Sequence, residues 1–437
     1  MFAYYFDLAL RSFRRNKVLT ALMVLAIALG IGASMTTLTV FHVLSGDPLP
    51  GKSDTLYYPQ LDSELMDTYH QGEEPNDQLT RYDAEALLKA RRADRQALMT
   101  GGGVALQPQN STLKPLRVDA RYTSTDFFPM FDVPFQYGGG WDAAADNARG
   151  RVAVIAKSLN DKLFGGGNSV GKTLRLDNHE FRIVGVLKEW RPVPKFYDLN
   201  VSDQGYGEAE LVYLPFSTSR ELALGRSGNM SCFDSRPDGM RDTDVGAACV
   251  WIQFWVQLDT PAKAAEYKVF LENYSAQQRA AGRFQRPNNV RLRNLMQFLS
   301  FQKVVPRDVN LQMWLAFGFL LVCLLNTVGL LLAKFLRRSS EIGVRRALGA
   351  SRGAVFAQCL IEAGTIGLAG GVLGLGLAAL GLWAVRQQPA EYGSLAHLDP
   401  LMLITTFVLA IAASLLAGVL PAWRACLVSP AIQLKSQ

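Results

Sequence analysis

Residues Gly166 to Thr173, Gly-Gly-Asn-Ser-Val-Gly-Lys-Thr, satisfy the G-x-x-x-x-G-K-[ST] pattern of a phosphate-binding loop. In a working loop a buried strand leads in and a helix leads out, so that backbone N–H groups at the helix N-terminus cradle the phosphates. Here Lys157–Phe164 has helical spacing before the glycines, and Thr173–Asn178 reads as a strand running into a turn. No apolar run ending in aspartate follows in the same region to hold magnesium. Gly166, Gly171, Lys172 and Thr173 are therefore read as a turn before a strand, with no nucleotide site.

Other reactive residues do not cluster. His42, His70, His179 and His397 are scattered, with neither an HExxH motif nor His/Cys ligand spacing, so no metal site is expected. No G-x-S-x-G elbow occurs, and acid pairs such as Glu73-Glu74 suit solvated loops. No catalytic residue is assigned, and the chain is not read as an enzyme. Cys323, Cys359 and Cys426 fall in or beside apolar runs as packing thiols. Cys232 and Cys249 lie 17 residues apart in a polar region, either bonded to each other or left as two thiols, since spacing does not fix connectivity.

The densest charge lies between two apolar runs. From Lys334 to Glu362 the chain reads KFLRRSSEIGVRRALGASRGAVFAQCLIE, with Arg337, Arg338, Arg345, Arg346 and Arg352 facing one acid, Glu341, among them. Glu341–Leu348 reads as a short helix closed by Gly349. Short loops rich in Lys and Arg resist translocation, so this basic hinge belongs on the cytoplasmic side of a membrane. A short helix held there between two spans is what a soluble motor would push on.

Four stretches can supply the spans. Val18–Leu44 runs for 27 residues without Lys, Arg, Asp or Glu, Val309–Ala333 and Pro400–Trp423 also carry none, and Ala354–Val385 carries Glu362 alone. A helix needs about 20 residues to cross the hydrocarbon core. Transmembrane helices are expected over 18–44, 309–336, 354–385 and 400–423. The first is too long for a signal-peptide core and lacks a cleavage site, so it is expected to be retained. The formal charge of +7 would suit nucleic acid, but its placement does not. Arg11, Arg14, Arg15 and Lys17 precede the first span, Arg424 and Lys435 follow the last, and residues 386–399 hold one Arg against Glu391 and Asp399. Both termini (1–17 and 424–437) and the hinge (337–353) are thus expected inside, with residues 45–308 and 386–399 outside. Residues 1–17 set Phe2, Tyr5, Phe6, Leu10 and Phe13 on one face, as a helix lying against membrane lipid or a plain extension of the first span.

Residues 45–308 read as an α+β domain. Asp83–Ala97 and Ala262 to about Arg283 have helical spacing. Strands are expected at Thr55–Tyr58, Leu116–Ala120, Arg151–Ala156, Thr173–Leu176, Glu180–Leu187, Val250–Leu258 and Val290–Leu295, and mostly loops over Pro192–Ala248. Asp177-Asn178 suits a tight hairpin turn. One part is expected from both ends of the domain, with a second lobe inserted between them.

Small residues recur within the spans. Ala26, Gly30 and Ser34 repeat every fourth residue in the first, and Gly370 and Gly374 in the third. Such stripes let helices approach closely in lipid. Both are read as helix-packing or dimer-interface stripes, the first leaning toward a subunit interface and the third suiting internal packing at least as well as a dimer face. Glu362, the one acid inside a span, is expected to pair with or cap nearby arginines rather than carry ions. Trp314 and Trp423 stand near span ends as interface anchors.

Glu341-Ile-Gly-Val-Arg-Arg-Ala-Leu-Gly-Ala-Ser-Arg-Gly353 resembles the signature of the FtsX/MacB-type permeases of ATP-binding-cassette (ABC) systems. Leu420-Pro-Ala-Trp-Arg-Ala followed by Pro430-Ala-Ile-Gln-Leu is similar to that family's closing motif, and Asp126-Phe-Phe-Pro-Met-Phe and Val170-Gly-Lys-Thr-Leu-Arg-Leu resemble its outer-domain motifs. The resemblance implies one span, a large periplasmic domain with a porter-like part and an inserted lobe, then three more spans in the bacterial inner membrane. It implies a coupling helix formed by Glu341, Ile342, Arg345, Arg346, Ala347 and Leu348 and closed by Gly349. That helix would dock on an ABC ATPase subunit that binds ATP and Mg, this MacB-like chain having no fused ATPase domain and no cofactor of its own. A dimer with a second permease, identical or not, is implied, with a periplasmic adaptor or lipoprotein as a further partner. The implied work is efflux or mechanotransmission; the alternative is an FtsX-like subunit regulating a periplasmic enzyme or sensor.

Overall fold

The computed structural model describes residues 2–15, 17–108, 114–199, 205–234, 238–305, 307–387 and 400–427. It divides into two units, Met1–Ser45 with Val305–Gln437, and Gly46–Val304. The loop carrying Glu391, His397 and Asp399 and the closing segment Pro430–Leu434 with Lys435 lie outside the described residues.

The first unit is helical. A helix at Phe2–Arg15 precedes the first span, Lys17–Ser45; the second span is Arg307–Arg337, the third Arg352–Arg386 and the fourth Pro400–Cys426, with a hinge helix at Ser339–Ala347 between the second and third. Four of these are long and apolar enough to cross a membrane. Charged residues stand at five of the eight ends of the spans, Lys17, Arg307, Arg337, Arg352 and Arg386. A long basic side chain can carry its charge out of hydrocarbon only from a helix end.

Small residues decide how the spans pack. A Cβ at Gly370 would sit 2.7 Å from Ile27 Cγ2, and one at Gly374 would lie 3.2 Å from the Ala28 carbonyl oxygen, so the third span lies against the first. A Cβ at Gly30 would lie 2.9 Å from Leu320 Cδ1, and the Ser34 hydroxyl donates to the Ala316 carbonyl at 3.1 Å. Gly30 and Ser34 are buried within the chain, so at these two positions the stripe serves helix packing rather than the expected subunit interface; Ala26 is half-buried. At Gly30 and Ser34 the stripe is taken up by the second span of the same chain. Close approach in lipid needs small residues wherever two backbones meet, and their spacing does not name the neighbour.

The second unit is built on one 13-stranded mixed sheet. Its strands are β1 (Leu56–Leu61), β2 (Leu79–Thr80), β3 (Arg95–Gln107), β4 (Leu116–Thr123), β5 (Phe135–Gly138) and β6 (Val152–Ile155). Then come β7 (Thr173–Leu176), β8 (His179–Leu187), β9 (Val212–Pro215), β10 (Arg226–Ser227), β11 (Ser231–Cys232), β12 (Cys249–Gln257) and β13 (Val290–Asn294). The main path runs β13-β1-β12-β3-β4-β9-β6-β8-β5. Both ends of the domain build the half from β13 to β4, and its middle builds the half from β9 to β5. The parallel pairing of β4 with β9 and the antiparallel pairing of β3 with β7 join them, so the inserted lobe shares the sheet.

Every residue of β12 is buried, because the sheet is covered on both faces. Ile252, Phe254 and Val256 enter a core with Leu87, Tyr267 and Leu271, while Trp255 meets Tyr58, Phe196 and Phe298 edge-on.

Two expectations are corrected here. The helix read over Asp83–Ala97 is Arg81–Ala90; Thr80 caps it by accepting from the Asp83 N–H, and Arg91 ends it in the left-handed conformation at φ 47°. Arg95 then opens β3, which the sequence reading missed because Gly101-Gly102-Gly103 interrupts it. Glycine is required there: the Tyr122 ring on β4 lies over Gly102, where a Cβ would stand 2.2 Å from a ring carbon. The stretch Pro192–Ala248 also holds β9, a helix at Phe216–Glu221, β10 and β11.

Charge is buried in this unit too. Arg121 on β4 is fully buried and pairs with both Asp198 and Glu210, and the Tyr197 hydroxyl donates to Glu210 at 2.9 Å. Burial by itself raises the Glu210 pKa, but Arg121 and Lys195 outweigh it and hold the carboxyl at about 2. A carboxylate with a depressed folded pKa stabilises the fold above its unfolded value of about 4.3 and loses that contribution as pH falls toward the folded one. In thermal unfolding of the full chain, the gap between wild type and Glu210→Gln should be widest near neutral pH and close between about pH 4.3 and 2.

Candidate functional site

The hinge helix is shaped by its own residues. Glu341 lies in its first turn and Arg345 and Arg346 in its last, each opposing the partial charge of that end of the helix. Gly349 at φ 102° provides the left-handed residue that ends it, and the Ser351 hydroxyl accepts from the Ala354 N–H at 3.2 Å to start the third span. The chain therefore leaves one span, makes two and a half turns and enters the next with no slack.

One face of this helix is tied to the spans. Gly343 is buried, and Ile342 packs against the core formed by the spanning helices. Arg345 donates to Gln358 Oε1 at 3.1 Å and lies 3.3 Å from Glu341, and Arg346 donates to the Cys426 carbonyl at 3.0 Å. The other face is free. Val344 is 50% exposed and Leu348 83%, with Ala347 and Gly349 exposed beside them. Of the coupling residues expected from the sequence, Ala347, Leu348 and Gly349 are thus on the open face. Ile342, Arg345 and Arg346 brace the helix from behind. Val344 was missed, although its four-residue spacing from Leu348 puts both on one side.

Behind the hinge lies a buried ionic cluster. Glu362 on the third span is 3% exposed. Lys334 Nζ on the second span is 2.8 Å from its Oε1, Arg338 Nη1 is 3.2 Å from its Oε2, and the Ser12 hydroxyl of the N-terminal helix donates to it. Lys334 also donates to Thr20 Oγ1 of the first span at 3.4 Å, and Arg338 reaches Glu341 at 3.3 Å. Glu362 pairs with Arg338 as its place near the basic hinge suggests. The part of Lys334 and Ser12 is seen only in three dimensions, with Lys334 in the last turn of the second span and Arg338 at the cap of the hinge helix. The N-terminal helix packs Phe13 inward beside this cluster rather than leaving it wholly to lipid.

The P-loop pattern has its flanking elements reversed. A helix at Lys157–Phe164 leads in and β7 leads out from Thr173. Asn160 donates to the Gly167 carbonyl at 3.0 Å and accepts from Ser169, while Gly166 and Gly171 take φ of 82° and 89° as turn residues. The Lys172 ammonium lies 5.0 Å from the centre of the Phe164 ring. Cys232 and Cys249 are directly paired on β11 and β12 and joined by a disulfide. Asp242 lies beside them, but the two sulfurs are spent on each other and do not form a metal site. Cys323, Cys359 and Cys426 are buried thiols.

Four spanning helices, a large mixed α/β domain inserted after the first, and a basic hinge helix between the second and third define a polytopic membrane protein of permease architecture. Residues 20–272 match the MacB-like periplasmic core domain and residues 313–430 the FtsX-like permease C-terminal domain, so the chain belongs to the MacB/FtsX-type ABC permease family. It is 25% identical over 434 residues to the macrolide export ATP-binding/permease protein MacB of Photorhabdus laumondii, an alignment covering 97% of this chain and 59% of that protein. It is 25% identical over 316 residues to the pyoverdine export ATP-binding/permease protein PvdT of Pseudomonas aeruginosa, covering 72% of this chain and 42% of that one. The chain thus spans less than two thirds of the length of these relatives. The crystal structure of the periplasmic region of MacB from Actinobacillus actinomycetemcomitans matches with a TM-score of 0.36 at 14% identity, over 58% of this chain and 94% of that one.

Cysteines introduced singly should report the two faces of the hinge helix. Val344→Cys and Leu348→Cys should react rapidly with a water-soluble maleimide in detergent, and Ile342→Cys should react slowly, read by mass shift against time. Equal rates at all three positions would contradict the two-faced arrangement.

Proposed function

We propose that this chain is the permease subunit of an ABC transporter. A nucleotide-binding partner, using ATP and Mg, would dock on the hinge helix, and its closure would be passed through the spans to the inserted domain for export or mechanotransmission. The observation that carries this reading is the two-faced hinge helix. An open patch of Val344, Ala347 and Leu348 stands on a segment whose other face is bonded to the spans. A lever needs both: a surface for the motor and a stiff joint to the load. Exposed apolar side chains grouped on a short solvent-facing helix also favour a protein partner.

Orientation follows from charge. Arg11, Lys17, Arg338, Arg345, Arg346 and Arg352 gather at the ends that carry the termini and the hinge, which favours the cytoplasm for these and the periplasm for residues 46–304. The Cys232–Cys249 bond fits an oxidising compartment for that domain. The relatives' names, macrolide export and pyoverdine export, support export as the kind of work done. A second permease, identical or different, would complete the assembly, and an adaptor or lipoprotein would extend it outward.

The test is purification of the intact chain in mild detergent with identification of what accompanies it. A nucleotide-binding subunit is expected, whose ATP turnover changes on binding. Val344→Glu with Leu348→Glu should weaken that binding by about tenfold or more, as loss of a central apolar contact does. Absence of such a subunit, or binding indifferent to the double substitution, would overturn the proposal. A periplasmic adaptor in the same preparation supports export, whereas a cell-wall enzyme turns the reading toward regulation.

A further inference from the structure

We propose that Glu362 is a positioning residue that clamps the hinge helix to the N-terminal helix and the first span, so that hinge motion reaches segments that do not adjoin it along the chain. This rests on the hinge being the docking site. The hinge is joined through the chain only to the second and third spans. The ionic cluster supplies the remaining ties. Ser12 fastens the N-terminal helix to Glu362, and Lys334 fastens Glu362 to Thr20 of the first span. Arg338 is shared between two carboxylates, Glu341 on the hinge and Glu362 in the third span, and its Nη1 also donates to the Ser12 hydroxyl at 3.3 Å.

This arrangement resists being pulled apart. Lys334 and Glu362 are both almost wholly buried, and the Phe13 ring lies 5.5 Å from the Lys334 ammonium. Separating a buried ion pair leaves each charge without its partner and without water, which costs more than moving the helices together. A displaced Glu341 therefore draws Arg338, and Arg338 draws Glu362 with the helices attached to it. Had Glu362 served only to fix the third span, the Ser12 contact would have no effect on transmission.

The experiment uses the full chain with its nucleotide-binding partner in lipid nanodiscs, measuring affinity for the partner, stimulated ATP turnover and thermal midpoint. Glu362→Gln keeps the size but removes the charge and replaces one of the two acceptor oxygens with an NH2 donor. It should leave affinity unchanged and lower stimulated turnover by about tenfold, the factor that about 1.4 kcal/mol represents. Ser12→Ala should lower turnover in the same direction with the midpoint unmoved, and exchange of charges in Lys334→Glu with Glu362→Lys should recover part of the loss. Wild-type turnover in both Glu362→Gln and Ser12→Ala would overturn the clamp. If Glu362→Gln fails to fold, Ser12→Ala decides alone. If no partner binds the wild-type chain, the docking reading fails separately. The clamp is then judged by spin labels on Tyr4→Cys and Leu348→Cys, whose distance distribution should broaden in Glu362→Gln, and an unchanged distribution would overturn it.

Discussion

The spanning unit depends on burying one carboxylate. Glu362 sits among apolar helices where an isolated charge would cost several kcal/mol or more. It is tolerated because Lys334 approaches from the second span, Arg338 from the junction between that span and the hinge helix, and Ser12 from the N-terminal helix. The requirement acts outward. Lys334 must lie inside the bundle, which sets the rotation of the second span. Ser12 must face the third span, so the N-terminal helix turns Ala9 and Ser12 inward. Arg338 must stand at the junction with the hinge helix, where it also meets Glu341. A single charge thereby adds its own constraint on the rotation of these helices to that set by the close approaches at Gly30, Gly370 and Gly374.

The inserted domain solves a related problem with a different balance. Arg121 is buried with Asp198 and Glu210 beneath an aromatic layer of Phe127, Phe131, Trp190, Phe196, Tyr197 and Tyr213. Arg121 comes from β4 and Glu210 from the residues leading into β9, so the cluster spans the parallel junction between the two halves of the sheet. In both units, ionic contacts join segments that are remote in sequence, while apolar area supplies the bulk of the core.

Much of the spanning architecture was legible beforehand. Spans are legible because about 20 apolar residues in a row have few other uses, and their ends because a charge cannot sit within hydrocarbon unpaired. The hinge helix was legible from Glu341 at its start and Gly349 at its end. Strand β3 was not, because three consecutive glycines carry no strand preference of their own; the Tyr122 ring across the sheet makes them necessary. The GxxxxGKT segment misleads in the opposite sense. Its letters are local, but phosphate binding depends on the elements before and after, and here Asn160 and Ser169 fasten it as a turn.

By itself the sequence determined which segments cross the membrane, which loops are basic, and that the phosphate-loop pattern has the wrong flanks. Hydrophobic length, charge placement and turn chemistry are properties of neighbouring residues, so they survive without a fold. Tertiary structure alone decided that Gly30 and Ser34 face the second span, that Arg345 and Arg346 brace the hinge while Val344 and Leu348 stay open, and that Ser12 and Lys334 converge on Glu362. Those outcomes depend on the rotation of each helix about its axis. That rotation is set by contacts between residues up to 350 positions apart, and no local pattern encodes it.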